Sequence, residues 1–378
     1  MKALKILSFL AFVVLALTSG QALAQEPVKI GVYLPLTGQM GYGGRLELEG
    51  VALAAEEKPE VLGRPVQLII KDSQSEKVEA SVSVKRLIDH DGVVALIGSY
   101  GSTLAIAGGE VSEEAKIPTI GTSATSPLVT QGRKYYFRHC FTDPYQSAGA
   151  AVYAYEHLGA RTAAVLPDVS SDMAVGLNAF FKRAFTGLGG KIVAEMHCRA
   201  GDRDFTRQLI EIMAKEPDVL FIPAYFPEGV IILKQARELG AEFHLLAGDS
   251  MDNPELVTIA GPAAEGFIHT TFPYDPAMSD PSPEAAAFTN LWRSARPDRE
   301  PHVSAAIGYT SYLLLAEAIE RAGRAEPEAI AMALANIEDF KTPLGALTPG
   351  PEDNPRMAIG LIEIINGRRT YLGEIRPE

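Results

Sequence analysis

Two short loops rich in glycine and hydroxyl residues are suited to binding an anion. They are residues 98–103 (GSYGST) and residues 121–125 (GTSAT), and each follows a predicted strand. The first loop opens a predicted helix, whose free backbone N–H groups and positive dipole end attract negative charge. Because ligands bind at the carboxyl ends of parallel strands, we expect both loops to lie at such an edge. Helix capping is the competing interpretation of their hydroxyl groups.

A carboxylate follows a strand in the second half of the chain. Asp249 comes directly after the predicted strand at residues 243–247. Its side chain is able to form a charge-assisted hydrogen bond with a cation, or to cap the helix that follows.

The residues that could support catalysis do not form a recognisable enzyme motif. The glycine-rich stretches at residues 41–44 and 98–101 do not complete a dinucleotide-binding pattern, and residues 121–125 lack the last glycine of a nucleophile elbow. The seven histidines show no metal-ligand spacing. We therefore expect no enzyme activity, no cofactor and no metal.

The two cysteines, Cys140 and Cys198, each follow a histidine. Both His-Cys pairs fall in predicted strands, where neighbouring side chains point to opposite faces and would not converge on one metal ion. An oxidising compartment would allow the cysteines to form a disulfide. The sequence does not decide between unpaired buried thiols and a disulfide.

Short strands alternate with helices from residue 28 onward, which predicts a parallel sheet covered by helices. The first unit comprises predicted strands at 28–34, 66–71, 93–98 and 118–121 and helices at 46–57, 77–89 and 103–115. The second comprises strands at 137–140, 163–166, 191–197, 219–222 and 243–247 and helices at 145–158, 174–188, 205–215 and 228–239. Two such units predict two α/β lobes.

The remaining sequence is less regular. It contains a predicted strand at residues 267–272 and helices at 283–294, 302–322 and 326–335. Alternating residues at 357–365 and 370–375 predict a β-hairpin around Asn366-Gly367.

The N-terminus has the order of a secretory signal peptide. Lys2 and Lys5 precede the apolar run at residues 6–17, and small residues end in an Ala-x-Ala pattern at Ala24. Cleavage there would leave 354 of the 378 residues, enough for two domains. No cysteine lies at this point for a lipid anchor, so we expect a freely diffusing periplasmic protein.

The remaining chain is strongly acidic. Without the two lysines of the signal segment, 32 of the 34 basic residues stand against 47 acidic ones, a net charge of −15. This balance argues against nucleic acid or an anionic membrane as a partner.

The chain resembles the leucine/isoleucine/valine-binding family of periplasmic proteins over essentially its whole mature length. The matching motifs are IGVYLPLTG at 30–38, VLGR at 61–64, DSQS at 72–75, ATSP at 124–127, FT at 205–206, QARELG at 235–240, AEG at 264–266 and AEAIERAG at 316–323. Each motif is weak alone, but their order and spacing are specific.

The resemblance implies two doubly wound parallel-sheet lobes of the Venus-flytrap type, joined by three crossings. Lobe one would comprise residues 25–142 and 275–349, and lobe two residues 143–274 and 350–378. The protein would be a monomeric solute-binding receptor that delivers an amino acid, branched-chain or otherwise apolar or aromatic, to an ABC permease. A sensory receptor with the same cleft is the alternative use of this fold.

The resemblance also implies the residues that contact the ligand. The family positions that bind the ligand's carboxylate and part of its ammonium group correspond to Ser102, Ser123, Ala124 and Thr125. Asp249 matches the acidic partner of the ammonium group. Two aromatic positions of the cleft correspond to Tyr225 and Tyr42.

Because of two positions, the sequence does not determine which side chain the ligand carries. Met173 stands where many family members have a ring-stacking tyrosine, although methionine is still able to cover a ligand. Tyr100 adds bulk beside Ser102, which would either reduce the pocket or stack on an aromatic ligand. Aromatic acids and amides, which lack the α-ammonium group, are alternative ligands, but Asp249 would then be buried without a partner.

Overall fold

The chain folds into two lobes, each built on its own mainly parallel sheet. The computed structural model describes residues 26–349 and 357–377, so the predicted signal segment lies outside the described residues. In the first sheet the strands have the order β2-β3-β1-β4-β5-β6. They are β1 (Val28–Leu34), β2 (Glu60–Val61), β3 (Arg64–Asp72), β4 (Ala95–Ile97), β5 (Thr119–Ile120) and β6 (Tyr136–Phe137).

The second sheet has the strand order β15-β14-β11-β10-β9-β7-β8. Its strands are β7 (Thr162–Val165), β8 (Lys191–Glu195), β9 (Val219–Ile222), β10 (His244–Ala247), β11 (Phe267–Thr271), β14 (Ile359–Ile365) and β15 (Arg368–Ile375). The predicted C-terminal hairpin is confirmed, because β14 pairs antiparallel with β15. Asn366 and Gly367 both have positive φ, as a two-residue type I′ turn requires.

Helices cover both sheets. Those of the first lobe are α1 (Gly41–Glu57), α2 (Lys77–Arg86), α3 (Ser102–Ala115), α9 (Pro283–Ala295), α10 (Val303–Ala322) and α11 (Pro327–Leu334). Those of the second lobe are α4 (Asp143–Val152), α5 (Asp172–Gly187), α6 (Thr206–Met213), α7 (Phe226–Glu238) and α8 (Leu256–Ala260). A short hairpin, β12 (Phe340–Thr342) with β13 (Gly345–Leu347), was not predicted from the sequence. No described helix is both long and apolar enough to cross a membrane.

The hydrophobic core of the first lobe joins distant parts of the chain. Residues of β1 and β4 pack in one cluster with Phe288 and Trp292 of α9 and with the buried face of α10. The first strand is buried on both sides, which explains its nearly continuous apolar sequence. The late helices therefore stabilise the sheet that carries the two glycine and hydroxyl loops.

Two glycines allow α1 and α10 to cross at close range. A Cβ atom added at Gly50 would lie 1.9 Å from the carbonyl oxygen of Ala305, and one at Gly308 would lie 1.9 Å from that of Glu47. Because backbone atoms occupy these positions, no larger residue fits without moving a helix. This crossing fixes the backbone of Glu47 against α10.

The strand spans predicted around the two cysteines were too long. Strand β6 ends at Phe137, and β8 ends at Glu195, so neither His-Cys pair lies in a strand. After β6, side-chain hydrogen bonds hold the chain in place instead of strand pairing. For example, His139 Nε2 forms a hydrogen bond of 2.8 Å with Ser311 Oγ. Both thiols are free and buried, without a disulfide. Among the described residues no group of three or more potential metal ligands occurs.

Candidate functional site

The candidate site is the cleft where the carboxyl ends of the two sheets face each other. It is bounded by loops of the first lobe, by the loop after β10 in the second lobe, and by the start of α10. The lining residues are Tyr100, Gly101, Ser102, Ser123, Thr125, Met173, Tyr225, Asp249, Ser250, Asp252, Thr271, Phe272, Val303, Ser304 and Ile307. Seven of the nine residues predicted from the sequence lie in this one cleft.

Ser102 is the first residue of α3 and is fully buried. Its hydroxyl oxygen accepts a hydrogen bond of 3.1 Å from the backbone N–H of Ser126. Since a hydroxyl has one proton and two lone pairs, the proton remains available to an acceptor in the cleft. Together with the N-terminus of a 14-residue helix, this geometry suits a carboxylate.

The loop after β5 is held in place by a buried arginine that sequence reasoning did not identify. The Arg138 guanidinium donates to the carbonyl oxygens of Ala124, Thr125 and Ser126 at 3.4, 3.2 and 2.7 Å. Its Nε donates to the Thr130 hydroxyl at 3.2 Å. These bonds fix the backbone of the loop and leave the Thr125 side chain facing the cleft.

Asp249 lies on the opposite side of the cleft, at the start of a short 3₁₀ turn after β10. Its backbone N–H donates to Gln146 Oε1 at 2.8 Å, and that oxygen also accepts from the Thr270 hydroxyl at 2.6 Å. Within the described residues, Asp249 Oδ1 is buried without a hydrogen-bond partner. Burial raises the pKa of this carboxyl to about 7. The backbone is thus fixed while a carboxylate oxygen stays free for a cation.

A second buried acid lies behind Thr125. Asp143 is the first residue of α4, and its backbone N–H donates to the Thr125 carbonyl oxygen at 2.9 Å. Neither of its carboxylate oxygens has a hydrogen-bond partner in the described part of the chain. Burial raises the pKa of Asp143 to about 8, and the charge of Asp249 adds to this effect. Asp143 therefore holds its proton at neutral pH, and a positive charge bound nearby would favour its ionised form.

Aromatic and sulfur side chains form the apolar part of the cleft. The rings of Tyr100 and Tyr225 approach each other from opposite lobes with centroids 6.3 Å apart. Burial raises the pKa of both phenols, so they are neutral. Met173 is 3% exposed and lies in the first turn of α5, whose N-terminus is capped by Ser171. These side chains are positioned to cover a bound molecule.

Two residues predicted for the site do not line this cleft. Tyr42 lines a neighbouring opening, which Tyr100 and Tyr225 also line. The side chain of Ala124 packs against Ala105 and Tyr136, and its carbonyl oxygen accepts from Arg138. The structure thus places Tyr42 beside the site and Ala124 beneath it.

An ionic network at the edge of the cleft joins parts of the chain that lie far apart. Arg369 of β15 donates to both oxygens of Asp252, at 3.1 and 2.9 Å, and also pairs with Asp275. His302, at the N-terminus of α10, lies 3.2 Å from Asp252 Oδ1. Although burial opposes ionisation, Arg369 and His302 hold the pKa of Asp252 well below its usual range. The negative charge of Asp252 is therefore already balanced by its partners, unlike that of Asp249.

Polar contacts among the described residues link the lobes across the cleft, so the structure has a closed form. One is the contact of His302 with Asp252 described above. Gln39 Nε2 donates to Glu228 Oε2 at 2.6 Å, and the Thr103 hydroxyl donates to Asp172 Oδ2 at 2.9 Å.

The contribution of α10 to the cleft was missed because its sequence does not indicate it. Val303, Ser304 and Ile307 come from the first turns of a 20-residue helix that is buried almost all round. A helix without a distinct polar face shows no periodicity that would identify its cleft side.

Comparison with known proteins gives a match over almost the whole chain. A family model described as "Periplasmic binding protein" matches residues 27–359. The chain is 29% identical over 339 residues to the Leu/Ile/Val-binding protein homolog 1 of Brucella suis, covering 88% of this chain and 89% of that protein.

Solved structures share the fold. A leucine binding protein LivK from Thermotoga maritima is 40% identical, with a TM-score of 0.89 over 93% of this chain and 99% of that one. The LivJ protein of Streptococcus pneumoniae in complex with isoleucine is 27% identical, with a TM-score of 0.86 over 93% and 100%. A benzoate complex from R. palustris has the same fold at 22% identity, with a TM-score of 0.82 over 93% and 97%.

Proposed function

Because the chain belongs to the periplasmic binding protein family, whose members are solute-binding receptors of ABC transporters and not enzymes, we propose that it captures an L-amino acid for import. The observation that carries this proposal is the pairing of opposite groups in one cleft. Ser102 and Thr125 present hydroxyl groups on one side, and on the other Asp249 has a carboxylate oxygen without a partner among the described residues. An amino-acid zwitterion needs both kinds of group, a donor for its carboxylate and an acceptor for its ammonium group.

Hinge closure is the proposed mechanism of capture. The ligand first binds lobe one through Ser102, Ser123 and Thr125, and lobe two then closes over it with Tyr225 and Asp249. Closure is driven by contacts that exist only in the closed form, which include the polar bridges between the lobes. The closed form is then presented to a permease in the inner membrane.

In this proposal the protein acts as a periplasmic monomer. Residues 1–24 are removed as a signal peptide. Lobe one comprises 25–142 and 275–349, and lobe two 143–274 and 350–378. The packing of α9 and α10 against β1 supports this interrupted arrangement.

A thermal-shift screen tests the proposed function. A ligand that binds only the folded protein raises its melting temperature. The twenty amino acids are compared with benzoate and 4-hydroxybenzoate, the kind of ligand found in fold relatives. We expect stabilisation by one or more apolar amino acids, and stabilisation by the aromatic acids alone would overturn the proposal.

Thr125→Val is expected to weaken binding of the amino acid that gives the largest shift. Valine keeps the shape of threonine but removes the hydroxyl, and a hydrogen bond to a charged group contributes about 1.5–3 kcal/mol, or roughly ten- to hundredfold in affinity. Titration calorimetry measures the change. Thr125→Ser, which keeps the hydroxyl, is the matched control and should retain most of the affinity. Equal losses in the two variants would show that the hydroxyl does not bind the ligand.

A further inference from the structure

A buried glutamate lies behind the cleft wall, in α1. Glu47 is 0% exposed, and its Oε1 accepts a hydrogen bond of 2.5 Å from the Ser123 hydroxyl. Its other oxygen, Oε2, is buried without a partner among residues 26–349 and 357–377. A buried carboxyl that is only half satisfied is costly to the fold, so it calls for an explanation beyond packing.

The hydroxyl of Ser123 faces Glu47 on one side and the cleft on the other. A hydroxyl has one proton to donate and two lone pairs. When Ser123 donates its proton to Glu47, only lone pairs remain for a ligand. Lone pairs accept hydrogen bonds from an ammonium group and repel a carboxylate.

We propose that Glu47 is a positioning residue that directs the lone pairs of the Ser123 hydroxyl towards the ligand's ammonium group, and thereby selects amino acids over simple carboxylic acids. This inference rests on the proposed function and specifies which end of the amino acid Ser123 binds. Glu47 does not itself line the cleft and acts only through Ser123.

The surroundings of Glu47 link this arrangement to pH. Burial raises the pKa of Glu47 to about 8, hydrogen bonding by Ser123 opposes the shift, and the charge of Asp249 adds to it. In the empty cleft at neutral pH, the carboxyl therefore holds its proton. A bound ammonium group favours the ionised form, so the proton is released to solvent on binding.

No other group packed against Glu47 in the described structure supplies a compensating positive charge. From α10, Gly308 lies against the backbone of Glu47, and His302, at the N-terminus of that helix, pairs with Asp252. The phenol of Tyr100 interacts with Glu47 only as a neutral group.

The charged neighbours of Glu47 on its own helix are engaged elsewhere. Arg45 donates to the Leu36 carbonyl oxygen, and Glu49 pairs with Arg299. In this proposal the compensating positive charge is the bound ammonium group, which interacts with Glu47 through the Ser123 hydroxyl.

Calorimetry with two matched probes tests the selectivity. L-leucine and 4-methylpentanoate have the same side chain, but only the first has an ammonium group. For Glu47→Gln we expect L-leucine to bind about tenfold more weakly and 4-methylpentanoate to bind no more weakly than to the wild type. Equal weakening of both probes would overturn the inference, because it would indicate general damage to the cleft.

A double-mutant cycle and a pH series separate positioning from packing. Since Glu47 acts through Ser123, the Glu47→Gln/Ser123→Ala variant should bind L-leucine no more weakly than Ser123→Ala alone. The affinity of the wild type should rise with pH between about 6.5 and 8.5, and less steeply in Glu47→Gln, where Asp143 and Asp249 still titrate. Additive losses or an unchanged slope would contradict the proposal.

A measurement on the ligand-free protein keeps this inference distinct from the proposed function. Infrared spectroscopy should detect a protonated carboxyl that is absent from Glu47→Gln, ionises above pH 7 and shifts in Ser123→Ala. Ionisation of Glu47 in the ordinary range of a carboxyl would refute the inference. Failure of every amino acid to bind would instead refute the proposed function.

Discussion

Replacing Asp249 with alanine is expected to weaken amino-acid binding by about 3–5 kcal/mol, more than a hundredfold in affinity. The backbone of this residue is fixed by Gln146, and Oδ1 is left without a partner in the described structure. In the proposed complex this oxygen would accept a charge-assisted hydrogen bond from the ligand's ammonium group. Without it, the ammonium group is buried without its main counter-charge. Titration calorimetry measures the loss.

The matched control removes a negative charge elsewhere. Glu242 is exposed, in the loop before β10. Glu242→Ala therefore changes the net charge of the protein by the same amount and should leave the affinity unchanged. Circular dichroism confirms that both variants are folded. Wild-type affinity in Asp249→Ala would mean that the ligand has no ammonium group at this position.

The second large effect concerns stability. Gly308→Ala is expected to destabilise the protein by about 3 kcal/mol, because the added methyl group would lie 1.9 Å from the carbonyl oxygen of Glu47. A backbone atom is unable to rotate away, so α1 and α10 have to separate. This movement also displaces Glu47 and, through it, Ser123. Urea denaturation measures the change in the free energy of unfolding.

Gly187→Ala is the matched control for this substitution. Gly187 is also a helical glycine, but a Cβ atom there would meet nothing within 4 Å. Alanine has the higher helix propensity, so the control should be neutral or more stable by about 0.5–1 kcal/mol. Equal unfolding midpoints for Gly308→Ala and the wild type would contradict the close crossing of the two helices.

Local patterns were sufficient to predict most strands of the two large sheets and the loops that carry the site. Strand β1 matches its predicted span of residues 28–34, because an apolar strand buried on both faces is nearly continuous in sequence. The loops that contain Ser102 and Thr125 were found because they follow strands, and the carboxyl ends of parallel strands meet at one edge. The choice of these two residues within the loops came from the family resemblance. The two-lobed fold and the family followed from the order of the motifs.

Contacts between distant segments could not be predicted in this way. Glu47 is 76 residues from Ser123 in the sequence, and it stands in a helix where a glutamate ordinarily faces solvent. Arg369 reaches Asp252 across 117 residues. A single sequence contains no local signal for such pairs, since tertiary packing alone determines them.

We propose that one cleft binds both ends of an amino acid. A crystal structure of the protein with the amino acid that stabilises it most tests this claim directly. We predict the ligand's carboxylate within hydrogen-bond distance of the Ser102 and Thr125 hydroxyls, and its ammonium group within hydrogen-bond distance of Asp249. A ligand bound outside the cleft, or bound in it without contact to Asp249, would contradict the claim.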